Sequence, residues 1–189
     1  VWLRSNGKIY EYVAVYVEDL GLAVDKPVDF LKVLTDKYKF KLKGSGPIAF
    51  HLGMDFSRDE DGVLCMAPTK YLDKVFANYE RMFGEKPKQN VSTPLEGGDH
   101  PDLDTSDFLD DDGITQYQSL IGTLQWVISI GRFDITTHVM SLLSYRIAPR
   151  IGHLDRAKRI VGYLAKMKHA CIRFRIDTPD YSDLPIPVY

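Results

Sequence analysis

The sequence predicts an α+β fold: antiparallel β-hairpins with interspersed helices, followed by an α-helical bundle. Three observations carry this. Tyr12 to Val24 sets two short runs of β-branched, aromatic and small apolar residues around Glu18-Asp19, the pattern of a β-hairpin. Ile48 to Met66 repeats the arrangement around Asp59-Glu60-Asp61-Gly62. From Ile114 to Lys168 apolar residues recur at helical intervals, as amphipathic helices require.

The 189 residues suffice for one domain or two small ones with a real core. At 44% hydrophobic and 26% charged residues, the chain belongs to the soluble globular class. No apolar run reaches the roughly 18 residues of a membrane span, and no signal peptide is present. No membrane partner is therefore expected, and the expected location is intracellular, cytoplasmic or nuclear, not secreted. The chain opens on Val rather than Met and reads as a piece of a longer protein. Cys65 and Cys171 follow no paired spacing and are expected to be free, buried, inert thiols. The His residues form no zinc pattern with them.

The net charge of −2 conceals an uneven distribution. Asp99 to Asp112 holds seven Asp and no Lys or Arg, whereas Arg146 to Arg175 holds nine basic residues against Asp155 alone. An excess of that size can attract a phosphate backbone. A solvated basic helix face explains it equally well.

Along the chain, Asn6-Gly7 predicts a turn between Val1–Arg4 and Lys8–Tyr12. The central hairpin carries Glu18-Asp19 at its tip, and neither residue is a glycine that would relieve a positive φ. Two readings stand: a solvated acidic turn, or carboxylates kept adjacent at some cost in stability to hold divalent metal. Pro27 opens a helix whose Phe30, Leu31, Leu34 and Tyr38 form an apolar stripe expected to pack under the sheet. Gly44-Ser45-Gly46-Pro47 breaks the chain and lacks the Gly-Lys-Ser of a phosphate loop.

Ile48 to Phe56 reads as a strand, Asp59 to Gly62 as a turn and Val63 to Met66 as the returning strand. Gly53 inside the strand marks either a bulge or a close backbone approach by a ligand. Pro68 starts a helix running to about Arg81, with Tyr71, Leu72, Val75, Phe76 and Tyr79 on its apolar side. Gly97 to Gly113 is read as a flexible acidic linker and domain boundary; nucleic-acid mimicry and calcium binding are the alternatives, and the spacing is not that of an EF-hand loop. Three helices follow, Ile114–Ile130, Asp134–Ile147 and Gly152–Lys168, forming a bundle with one basic side. Asp134, His138 and Ser141 share a helix face, but nothing near them supplies an oxyanion hole, so a hydrolytic triad is set aside.

Several of these segments resemble, in order, motifs of copia-type retrotransposon reverse transcriptases. Tyr16-Val17-Glu18-Asp19 resembles that family's Tyr-Val-Asp-Asp box, with Glu18 replacing the first Asp. His51-Leu52-Gly53-Met54 resembles its Phe-Leu-Gly primer-grip segment, and Val91-Ser92-Thr93-Pro94-Leu95 its Thr-Pro connector. Tyr117-Gln118-Ser119-Leu120-Ile121-Gly122-Thr123-Leu124 resembles Tyr-x-x-Leu-Ile-Gly-Ser-Leu. Gly131-Arg132-Phe133-Asp134-Ile135 resembles Thr-Arg-Pro-Asp-Ile, with Phe133 in place of Pro. Ala157 to Leu164 resembles Ala-Lys-Arg-Val-Leu-Arg-Tyr-Leu, with Gly162 in place of the second Arg.

The resemblance implies a fragment of a right-hand polymerase fold. It implies a late palm with both hairpins at 1–66, a thumb start at 67–96, the acidic linker at 97–113, a helical thumb or connection bundle at 114–168, and the start of an RNase H-like strand and tail at 169–189. The implied activity is RNA-directed DNA synthesis by two-metal nucleotidyl transfer onto a primer 3′-hydroxyl. Glu18 and Asp19 would be catalytic ligands of Mg2+, with Mn2+ as the alternative. His51, Leu52, Gly53 and Met54 would seat the primer, and Arg156, Lys158 and Arg159 would contact phosphates. The implied partners are an RNA or DNA template with its primer, deoxynucleoside triphosphates and the rest of the polyprotein, including fingers, RNase H and a third metal-binding Asp. Glu18 is longer than Asp by one methylene, and a metal pair tolerates little displacement. Glu18, Phe133 and Gly162 therefore also fit a catalytically inactive remnant that binds nucleic acid or protein.

Overall fold

The computed structural model describes residues 1–5, 7 and 9–174. Part of the expected Asn6 turn and residues 175–189 of the strand and tail expected at 169–189 lie outside the described residues. The chain divides into two compact units, Val1–His51 and Leu52–Tyr189. The division falls well before the acidic segment, which lies inside the second unit and is not the boundary expected there.

The first unit is a three-stranded antiparallel sheet in the order β1 (Trp2–Ser5), β2 (Tyr10–Tyr16), β3 (Asp19–Ala23). Strand alternation puts Glu11, Val13 and Val15 on one face, which lines a cavity of about 630 Å3 together with Phe30, Leu34 and Leu42. Glu11 is buried there; the Arg4 guanidinium, donating from Nε at 2.9 Å, and the Asp25 amide at 3.2 Å hold its carboxyl below the usual range. Pro27 begins α1 (Pro27–Lys32) as expected, and the helix runs on as a π-turn over Val33–Lys37. Its apolar stripe does not become core: neither segment has a buried residue, and Tyr38 is exposed. A two-residue strand, β4 (Phe50–His51), is the last element of this unit.

The second unit opens with β5 (Met54–Arg58) and β6 (Leu64–Ala67), paired antiparallel; β6 also pairs with β7 (Ile172–Phe174). The Asp59 carboxylate closes the β5–β6 turn by accepting from the Asp61 and Val63 amides at 3.1 and 2.9 Å, and Gly62 supplies the positive φ of 76°. The expected single strand from Ile48 to Phe56 is broken, because Leu52 and Gly53 both adopt positive φ, 52° and 86°. Gly53 therefore belongs to a turn and is neither a bulge nor a strand interior.

Four helices make the core: α2 (Thr69–Phe83), α3 (Asp111–Ser129), α4 (Thr136–Leu143) and α5 (Ile151–Lys166). Leu72 and Val75 of α2 pack with Leu124 of α3, Val139 of α4 and Ile160 of α5 in one buried cluster. The expected thumb start and helical bundle thus share a single core. Gly84, at φ 69°, ends α2 as a left-handed cap. Asp110 caps α3 by accepting from the Gly113 amide at 2.8 Å, so the last Asp residues of the acidic run begin a helix and do not stay in a loop. Arg132, almost fully buried, donates to both Asp134 oxygens at 2.9 and 2.7 Å and to the Met167 carbonyl at 3.1 Å, joining the α3–α4 corner to the end of α5. No helix among the described residues is long and apolar enough to cross a membrane.

Candidate functional site

The acidic hairpin pairs Tyr16 with Asp19, which leaves Val17-Glu18 as its two-residue loop. The turn was expected on Glu18-Asp19; Asp19 is instead the first residue of β3. Alternation cannot separate the two registers, because both keep Val13 and Val15 on the face of Leu20 and Leu22. The observed one sets the small residues Ala14 and Gly21 opposite each other. The tip carries a positive φ without a glycine, as the sequence requires, but on Val17, at 52° and largely exposed. A β-branched residue in that region is an outlier costing on the order of 1–3 kcal/mol. Glu18 and Asp19 are both exposed beside it.

Behind Asp19 stands His51. Its Nδ1 lies 3.9 Å from Asp19 Oδ2, within ion-pair reach but too long for a hydrogen bond. The His51 ring meets Tyr16 edge-on at 6.4 Å between centroids. His51, assigned above to primer contact, therefore also borders the acidic box. Among the described residues, no group of three or more His, Cys, Asp or Glu is placed to hold a metal ion. Glu18 and Asp19 by themselves fall short of a two-metal donor set. Leu52 is exposed at its turn, whereas Met54 is half-buried at the start of β5.

The three cations of α5 expected to contact phosphates are not free. Arg156 donates through Nε and Nη2 to Asp99 at 3.0 and 2.7 Å and through Nη1 to Asp104. Lys158 lies 3.9 Å from Glu85 and 4.1 Å above the Phe83 ring; Arg159 donates to Glu96 at 2.9 Å. The three cations expected to meet phosphates are thus paired within the chain. Burial alone would raise the Asp104 carboxyl, but hydrogen bonds from Ser106 and Arg156 outweigh it and hold the group down at about 2. The Asp99 and Asp104 carboxylates in turn raise the Arg156 guanidinium above its ordinary value.

The acidic stretch is accordingly a strap tied to α5. Ser106 accepts at its hydroxyl from the Gly152 amide at 2.9 Å, the Ser106 carbonyl accepts from Arg150, and buried His153 sets Nε2 2.9 Å from the Pro101 carbonyl. A Cβ on Gly152 would run into the Asp104 carboxylate, and one on Gly162 into the Lys88 carbonyl oxygen. Both glycines were missed as contact residues, because nothing local to α5 marks a position where another backbone or carboxylate comes close.

Asp134 is committed to Arg132, which keeps its carboxyl low against the effect of burial; this agrees with setting a triad aside. Both cysteines are free as expected, but only Cys65 is also buried. Cys65 is buried, and burial followed by the adjacent Cys171 thiol raises its pKa, whereas Cys171 is exposed.

No family model matches the chain, and no solved structure matches it. Curated proteins do, among them two transposon proteins. One, described as a transposon Ty5-1 protein of Saccharomyces cerevisiae, is 30% identical over 191 residues, covering 100% of this chain and 58% of that protein. The other, a retrovirus-related Pol polyprotein from transposon RE1 of Arabidopsis thaliana, is 28% identical over 166 residues, covering 87% of this chain and 11% of the polyprotein. These matches support a retrotransposon polyprotein origin. The chain spans just over half of the first relative and about a ninth of the second.

Proposed function

We propose that this chain is a segment of an RNA-directed DNA polymerase from a retrotransposon polyprotein, contributing two carboxylates of the active site and part of the surface that holds primer and template. The observation that carries this reading is the hairpin tip. A valine held at positive φ presents Glu18 and Asp19 to solvent side by side, an arrangement that a purely structural turn has no reason to keep. The similarity to a Pol polyprotein supports it from outside the structure.

In this reading Asp19 and Glu18 bind a divalent cation, Mg2+ or Mn2+, with the remaining ligands supplied from outside the described residues. The cation would supply charge stabilisation at the transferring phosphoryl group. The chain's own residues orient the box. Register pairing with Tyr16 fixes the start of β3, and His51 stands against the outer carboxylate. His51 to Met54 seat the primer end, and deoxynucleoside triphosphates are the co-substrates of the complete enzyme.

The test is primer extension by the full polyprotein. We expect Asp19→Asn to abolish deoxynucleotide incorporation on an RNA template and Glu18→Asp to raise it. Unchanged extension by Asp19→Asn would overturn the assignment of the box.

A second reading, a catalytically inactive remnant retaining nucleic-acid or protein binding, is favoured by Glu18. Gly162 does not add to it, because a side chain there would meet the Lys88 carbonyl oxygen, which gives the glycine a packing role of its own. Absence of extension by the intact polyprotein, with or without Glu18→Asp, would favour the remnant.

A further inference from the structure

We propose that the stretch Lys37-Tyr38-Lys39-Phe40-Lys41-Leu42-Lys43 is a contact surface for single-stranded nucleic acid, its lysines meeting phosphates and its exposed rings offering stacking faces. The inference rests on the polymerase-segment reading only in taking nucleic acid as the polyanion.

Lysines alternate here with aromatic and apolar residues, and from Lys32 to Lys43 five Lys stand against Asp36 alone. All four lysines of the stretch are exposed. Lys39, Lys41 and Lys43 form no ion pair among the described residues, and Lys37 sits 5.2 Å from the Tyr38 ring. Tyr38 is 57% exposed and Phe40 60%. The contrast with α5 is direct, since Arg156, Lys158 and Arg159 all have acidic partners in the chain. A polyanion therefore finds a run of uncommitted positive charge on the first unit, whereas Arg156, Lys158 and Arg159 of α5 are paired within the chain. Lysines interleaved with exposed rings match a strand whose phosphates and unstacked bases are both accessible, because base–aromatic stacking requires bases free of a duplex. The helical turn gives way at Lys37 and Lys39 takes a positive φ of 58°, so the stretch lies across the surface without forming a further helix.

The test is fluorescence anisotropy on the intact chain at several salt concentrations. The probes are a labelled oligouridine and a labelled RNA–DNA duplex, with circular dichroism confirming that each variant is folded. Replacing Lys37, Lys39, Lys41 and Lys43 together by Gln should weaken oligouridine binding at least tenfold. It should also flatten the salt slope by about 3, at roughly 0.7 for each phosphate that is no longer neutralised. Tyr38→Ser should weaken the single strand several-fold with the slope unchanged. An unchanged slope in the lysine variant overturns the proposal, as does equal competition by polyglutamate of matched charge. Tighter binding of the duplex with no effect of Tyr38→Ser overturns the assignment to single strands. None of these readouts needs polymerisation. The polymerase reading falls separately, if the complete polyprotein extends primers regardless of Asp19.

Discussion

The backbone of Gly162 lies so close to the Lys88 carbonyl oxygen that a Cβ on it would collide with that oxygen. The loop after α2 thereby comes to rest directly on α5. Helix propensity alone says that Gly162→Ala should stabilise α5 by about 1 kcal/mol. The close approach reverses the sign. We expect Gly162→Ala to lower unfolding stability by about 1–3 kcal/mol, the usual cost of overpacking. Urea denaturation decides the matter, and a variant as stable as the parent would mean that the loop moves away freely.

Arg156 is expected to act on stability more than on nucleic-acid affinity. Arg156→Gln leaves Asp99 and Asp104 without their cation, and removing one partner of a largely buried pair costs about 3 kcal/mol. The same pair sets a pH dependence. Asp104 is held at about 2, below its value of 3.8 in the absence of structure. Its contribution is therefore complete above the unfolded value and is lost as pH falls through the folded one. Denaturation midpoints measured from pH 5 to 2 should fall for the parent chain and fall less for Arg156→Gln. Parallel curves would show that the strap is not held by this pair.

Val17 stores strain at the hairpin tip. Val17→Gly removes the Cβ that makes positive φ costly and should stabilise the chain by about 1 kcal/mol. A drop in melting temperature would mean that the turn does not need the left-handed conformation.

The Tyr117 hydroxyl donates to the Leu142 carbonyl at 2.6 Å inside the core, and burial pushes its pKa up. Tyr117→Phe removes this bond, leaving that carbonyl only the Tyr145 amide at 3.0 Å, and should cost about 1 kcal/mol. Equal stability of parent and variant in denaturant would show that this bond adds nothing.

The thiols offer a readout of folding. Cys171 is exposed and should react with a thiol reagent in the native state. Cys65, buried with its thiol pKa raised by burial, should react only on unfolding. Equal rates for both would contradict the burial of Cys65 within β6.

Much of the architecture was legible. Pro27 and Pro68 announced helices and Asp59 to Gly62 marked a turn, because each signal acts through the backbone of its own neighbourhood. The placing of Glu18 and Asp19 at a hairpin tip was legible for the same reason. Their register was not, since two pairings satisfy the same alternation. The fate of the charges was hidden as well. Asp99 to Asp112 looks like a solvated run and α5 like an open basic face when each is read alone, yet Arg156 and Asp99 meet across 57 residues of chain.

The sequence by itself determined the hairpins, the helices and the buried face of the later helices, though not that of α1, because periodicity and capping operate within a few residues. The tertiary structure alone decided which cations are spent on internal carboxylates, which glycines make room for another segment, and that α2 shares the core of the later helices. Those outcomes depend on distances between segments remote in sequence, and no local pattern encodes such distances.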